Sequence, residues 1–495
     1  MRYISTRNQN EGFVSAAEAI KNGLAPDGGL YMPESIPSLS LAELEDLLDC
    51  TYPERATYLF SKFLSDYSIQ ELLADTRAAY GETRFPGGAA PIHDIDGKVT
   101  SLELWHGPTA AFKDMALQIM PRLLSRALGK TGEKRTALIL VATSGDTGKA
   151  ALEGYKDVDQ IKIKVFYPVD GVSRVQKLQM QTQLGDNVDV NAIRGNFDDA
   201  QSGVKRIFGD TDTAAALNAE GVFLSSANSI NWGRLAPQIA YYVSAYCDMV
   251  KAGQIVLGDR VDICVPTGNF GNIFAAYIAK EMGLPFDKLI CASNRNNVLT
   301  DFLETGTYDR NRHFYTTTSP SMDILISSNL ERLLYLVCGS EKTAAYMKQL
   351  NENGVYTLAE DEIAKIKESF VGYYASEEDC FAAIKSAFEE HEYLCDTHTA
   401  VGYHAAKKYL ADTDSHKRII LASTASPYKF AGSVYTALTG KAPTDELSAL
   451  DELSALTGTE IPAPLRGIGE RTVRFDTTIE PKDMKASVLA FAKTV

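Results

Sequence analysis

The chain has 495 residues, 45% hydrophobic and 23% charged, the balance of an ordinary globular protein long enough for about two to three domains with a cleft between lobes. A net charge of -15 with no Lys/Arg block argues against a nucleic-acid partner. No apolar run approaches the roughly 20 residues of a membrane helix, which argues against a membrane partner.

The opening Met1-Arg2-Tyr3-Ile4-Ser5-Thr6-Arg7-Asn8 is polar at once and has no signal-peptide apolar stretch, so a cytoplasmic address is expected. A turn at Ala25-Pro26-Asp27-Gly28-Gly29 follows. Ser40 with Glu43 three residues on forms a capping box before apolar residues at helical spacing. Residues 1–90 read as a mostly helical N-terminal lobe, and Pro86-Gly87-Gly88-Ala89-Ala90-Pro91 as the connection out of it. Seven cysteines scattered from Cys50 to Cys395, with no C-x-x-C pair, suit free thiols better than disulfides or zinc. No metal is expected, because the histidines show no ligand spacing.

Beyond this lobe, β-branched runs alternate with helical stretches. Runs at 136–141, 161–168, 261–266 and 418–422 read as strands, and helical segments follow the first and third at 149–154 and 273–277. This is the signature of an α/β fold with parallel sheet, in which ligands sit at the carboxyl ends of strands. The runs ending at 141, 266 and 422 each lead into a polar Gly/Ser/Thr loop at such an end.

The first loop, Ser144-Gly145-Asp146-Thr147-Gly148, precedes a helix start that favours a carboxylate or phosphate. It is not a nucleotide P-loop: its glycines enclose two residues rather than four, and Ala150 stands where a magnesium-binding hydroxyl belongs. The second, Gly268-Asn269-Phe270-Gly271-Asn272, offers backbone and amide donors without a cation, a phosphate cradle. Lys113 lies among small and apolar residues with Trp105 and Phe112 near it, a context in which burial favours the neutral, nucleophilic amine.

His106-Gly107-Pro108-Thr109 followed by Phe112-Lys113-Asp114 resembles the pyridoxal-phosphate (PLP) lysine signature of the threonine synthase family, within the fold-type-II PLP enzymes. The resemblance runs almost end to end. It takes in the Ser5-Thr6-Arg7 and 23–31 blocks, Gly195 to Gln201, Asn228 to Arg234, Ser319 to Ile324, Asp396 to Gly402 and Thr424 to Phe430. It implies a tryptophan-synthase-β-like architecture with an added N-terminal lobe. A smaller mobile α/β domain would span 105–225, and a larger PLP-binding domain 91–104 plus 226–495.

It also implies that Lys113 carries PLP as a Schiff base and transfers protons. Gly268, Asn269, Phe270, Gly271 and Asn272 would hold the cofactor phosphate, and Thr424 would set a hydroxyl beside the pyridine nitrogen. Ser144, Gly145, Asp146 and Thr147 would receive the substrate carboxylate. Ser229, Asn231 and Arg234 would bind the phosphate of O-phospho-L-homoserine, which water converts to L-threonine and phosphate. A monomer or homodimer is expected.

The alternative within enzymes is a PLP-dependent dehydratase or β-replacement enzyme, which would lack the 228–234 block and the long N-terminal lobe. A further alternative is a relative that has lost the synthase reaction and serves as a binding or phospho-lyase module. His106 is either a proton donor or a packed residue, and Lys149 either reaches the substrate phosphate or is solvated at its helix start. His398, with no evident acidic partner, reads as structural, and Ser319 and Asp323 as substrate-bordering or a turn. The tandem Asp445-Glu446-Leu447-Ser448-Ala449-Leu450 repeat reads as an exposed helix. Thr397 and Tyr428 depart from the family pattern, which bears on substrate fit.

Overall fold

The computed structural model describes residues 1–8, 12–170 and 172–494. Two sheets, one mostly and one wholly parallel, make up the body of the fold. The larger has six strands in the order Phe370–Tyr374, Phe286–Ser293, Val261–Pro266, Ile419–Ser423, Val99–Glu103 and Ile92–Asp94. Only its last edge strand is antiparallel. The smaller has five parallel strands in the order Thr478–Ile479, Val188–Ile193, Ile161–Pro168, Thr136–Ala142 and Val222–Ser225. Central strands such as Leu138–Val141 and Val261–Pro266 are buried along their whole length, because helices cover both faces of a parallel sheet.

The N-terminal segment combines four helices with a two-stranded antiparallel ribbon, Tyr3–Ser5 on Tyr31–Pro33. Ser15, Ser40 and Ser68 each close a capping box with the glutamate three residues on, which fixes where three of these helices start. The lobe packs on the Trp232–Lys251 helix, which is apolar nearly all round and buried over almost its entire length. Arg55 ties the two together, donating to the Ser244 hydroxyl at 2.8 Å and pairing with Asp248 at 2.6 Å.

Two parts depart from the sequence expectation. The chain's last segment does not stay with the larger sheet: Thr478–Ile479 adds an edge strand to the smaller one, and the Met484–Ala492 helix packs over its helices. Val488 and Met484 bury there, an apolar face too short to read as a sheet-covering element without its partner. The hexapeptide repeat is half-buried rather than exposed. In the Ser448–Thr457 helix, Ala449, Leu450 and Leu453 turn into the core while Leu456 faces solvent. Positions three and four apart share a helix face, so the repeat contributes one inward stripe.

Candidate active site

Four loops leave the carboxyl ends of Val99–Glu103, Thr136–Ala142, Val261–Pro266 and Ile419–Ser423 and meet around Lys113. The Lys113 loop is fastened to the last of these as if by a short ladder. Phe112 N–H donates to Thr424 C=O at 2.8 Å and Ser426 N–H to Ala110 C=O at 3.1 Å. Asp114 closes the loop from inside, accepting both the Thr109 N–H and its hydroxyl at 2.8 Å. Burial pushes the Asp114 carboxyl up to about 7. Gly107 is required here, since an added Cβ would sit 2.6 Å from an Asp114 carboxylate oxygen.

The Lys113 ammonium is 3.3 Å from the Ser321 hydroxyl and 3.6 Å from Asp146 Oδ2. Burial pushes its pKa down against the pull of Asp146, and the cations of Arg234 and Lys429 push the same way as burial. The arrangement thus favours the neutral amine that nucleophilic attack requires.

In the 143–149 loop the Thr143 hydroxyl accepts from Gly145 N–H and Gly148 N–H, both at 2.9 Å. Gly145 has φ +141°, and a Cβ there would come within 2.5 Å of Gln176. That close approach lets Gln176 donate to Asp146 Oδ1 at 2.9 Å. Lys429 pairs with the same oxygen at 2.7 Å. Burial alone would raise Asp146, but Lys429, Lys113 and Gln176 outweigh it and hold the carboxyl well below the usual range. Ser144 and Thr147 are half-buried beside it. Lys149 is not solvated at the helix start: it is buried, 2.5 Å from Gln183 Oε1 and 3.1 Å from Glu153.

The 268–272 loop has no charged side chain. Phe270 adopts a left-handed φ of +66°, turning the chain into the Gly271–Met282 helix, whose first N–H groups have no carbonyl a turn back. Gly268 lies so close to the 320–322 turn that a Cβ would meet Ser321 C=O at 2.7 Å. Asn269 C=O accepts the Asn329 N–H at 3.0 Å, which pins the loop from behind. Asn272 accepts from the Tyr241 and Tyr242 hydroxyls at 2.5 and 2.6 Å, and its buried Nδ2 has no partner among the described residues. A neutral nest of donors at a helix N-terminus with an orphaned amide fits a phosphate group. Thr424 is buried at the end of its strand, its backbone holding the Lys113 loop.

Arg234 is buried, donates from Nη1 to Ala227 C=O at 2.7 Å, and leaves Nε without a partner among the described residues. Desolvation lowers it to about 10. The nearby Tyr155 hydroxyl is likewise buried and unpartnered. Ser229 is half-buried in the turn before the helix. Asn231 differs from the sequence expectation. Its amide caps the Trp232–Lys251 helix through Gly233 N–H and donates to Ile20 C=O, both at 2.9 Å, so both ends are engaged.

His398 does have an acidic partner. Its Nδ1 lies 2.8 Å from Asp396 Oδ2, and its Nε2 accepts the Ser321 N–H at 3.1 Å, which fixes the tautomer. The pair holds the Ser321 turn beside Lys113. His106 stacks on Trp105 and pairs with Glu103 at 2.7 Å. Asp323 and Ser319 are tied into Asn294 at 2.8 and 3.0 Å, a knot that shapes the turn. Lys429 has no role that the sequence alone makes legible. Its motif was visible, but only the fold brings it to Asp146.

Residues 93–424 match the family described as pyridoxal-phosphate dependent enzyme, flanked by matches to the threonine synthase N terminus over 2–80 and the threonine synthase C-terminal region over 399–486. Threonine synthase of Pseudomonas aeruginosa is 36% identical over 99% of this chain and 98% of its own. The chain belongs to the threonine synthase family. A PLP-bound threonine synthase structure from Brucella melitensis superposes with a TM-score of 0.88 at 35% identity, covering all of both chains. The yeast threonine synthase structure gives 0.87 at 32% identity over 99% of each. Human threonine synthase-like 1 is 42% identical over 88% of this chain, which spans 60% of that protein's length. The cofactor of this threonine synthase family member is PLP, and its fold is that of a fold-type-II PLP enzyme with an N-terminal domain. No helix among the described residues is long and apolar enough to cross a membrane.

Proposed function

We propose that the protein is a threonine synthase, converting O-phospho-L-homoserine and water to L-threonine and phosphate in the cytoplasm, as a monomer or homodimer. The observation that carries this reading is Arg234, a buried guanidinium with, among the described residues, a free Nε and no carboxylate partner, close enough to Lys113 to influence its charge. A buried cation without an anion is costly, and a substrate phosphate would supply the missing partner.

PLP, when bound, supplies an electron sink for deprotonation of the amino-acid substrate. The chain's own groups do the rest. Lys113 Nζ anchors the cofactor and then holds and returns protons at the substrate carbons. The neutral donors of Gly268, Asn269, Phe270, Gly271 and Asn272 would hold the cofactor phosphate, and Thr424 would supply a hydroxyl for the pyridine nitrogen. Ser144, Gly145, Asp146 and Thr147 border the substrate carboxylate. Arg234, with Ser229 beside it, retains the departing phosphate. The smaller sheet and its helices (residues 105–225 with the returning C-terminal segment) form the mobile domain and exclude water from all but the hydrating step.

Purified protein loaded with PLP and given O-phosphohomoserine should release phosphate and threonine in equal amounts. Lys113→Ala should lower that rate by about 10²–10⁴-fold. Phosphate without threonine would make the protein a phospho-lyase instead. Neither product would reject both.

A further inference from the structure

Lys429 is fully buried, and its ammonium has three donors. Three acceptors surround it: Asp146 Oδ1 at 2.7 Å, Gln179 Oε1 at 2.8 Å and Thr109 C=O at 3.2 Å. These come from three places: the helix start after the first loop, the Arg174–Gln181 helix, and the loop that carries Lys113. Lys429 itself follows the strand that ends at Ser423, in the larger sheet. One side chain thus joins both halves of the site. Gln176 and Lys429 together occupy Asp146 Oδ1, which leaves Oδ2 aimed at Lys113 across 3.6 Å.

We propose that Lys429 is a positioning residue that orients the Asp146 carboxylate towards Lys113 and, as its counter-ion, sets how readily Lys113 gives up its proton to take up PLP. Asp146, Arg234 and Lys429 act on Lys113; Lys429 also acts on Asp114 and on Lys149, which is paired with Glu153. With Lys429 in place Asp146 is shared between two cations. Without it, Asp146 belongs to Lys113 alone, and the ammonium form of Lys113 is favoured. The inference rests on Lys113 as the cofactor lysine and not on the identity of the substrate.

The test is the rate at which cofactor-stripped protein takes up PLP, followed by its visible absorbance across pH, since uptake needs the neutral amine whatever the substrate. Lys429→Met should move the acid limb of uptake up by roughly one pH unit or more. Asp146→Asn should move it down, and the double variant should lie between them. Lys429→Arg should keep the limb near the wild-type position while lowering the plateau, because a planar fork cannot meet the same three acceptors. Coincident limbs for wild type and a folded Lys429→Met would overturn the proposal, leaving Lys429 a packing residue. Should Lys429→Met not fold, Lys429→Gln, which removes the charge but keeps an amide donor for Asp146, decides: a limb raised above wild type supports the proposal, and a limb coincident with wild type overturns it.

Discussion

The 143–149 and 268–272 loops share one plan, a strand running into glycines and a helix start, yet they treat charge in opposite ways. The first holds a buried carboxylate whose needs are met from within the protein by Gln176, Lys429 and Lys113. The second has no charged side chain, and its Asn272 keeps a buried donor with no partner among the described residues. Internally satisfied charge rigidifies and tunes a site, whereas unsatisfied donors mark where a ligand must complete it. The pair therefore differs in what it leaves open: the charged loop pairs its carboxylate with Lys113, and the neutral one keeps donors free for the proposed cofactor phosphate.

The comparison breaks most sharply at the charged loop. Asp146→Ala leaves Lys429 buried without its anion and should cost about 3–5 kcal/mol of stability. Denaturant unfolding at constant pH measures it, and a loss below about 1 kcal/mol would mean the carboxylate is not truly part of a buried ionic network. On the ligand side, Arg234→Gln should raise KM for a phosphorylated substrate by about 10–100-fold, the weight of a charge-assisted hydrogen bond. Initial-rate kinetics read it, with PLP uptake reaching the wild-type plateau. At the neutral loop, Gly268→Ala forces a Cβ against Ser321 C=O and should weaken PLP retention at an overpacking cost of about 1–3 kcal/mol. Equilibrium dialysis against PLP would show it. Outside both loops, Ser40→Ala removes only a helix cap and should lower stability by about 1 kcal/mol with unchanged PLP affinity.

Much of this was legible in the sequence because it is local. The strands at Ile161–Pro168 and Val261–Pro266 coincide with their apolar runs, and Ser40 announces its helix through Glu43. Strand ends and glycine loops pointed to the candidate site for the same reason. What was not legible depends on partners far along the chain. Lys149 finds Gln183 only once two helices pack, and Lys429 finds Asp146 only when loops from the two sheets meet. Asn231 looked free for a substrate because nothing nearby in sequence reveals the Ile20 carbonyl that occupies it. The Asp396–His398 pair is the exception. It sits within three residues, but a helix-capping aspartate gives no sign that it also turns back onto a ring.

Three buried lysines, Lys113, Lys149 and Lys429, lie near the first loop, and the account assigns the cofactor to one of them. Borohydride reduction of the PLP-loaded protein, followed by peptide mass spectrometry, decides among them directly. The account predicts a single pyridoxyl adduct on the peptide containing Lys113, with Lys149 and Lys429 unmodified. An adduct on Lys429 or Lys149 instead would contradict the central assignment and the charge division built on it.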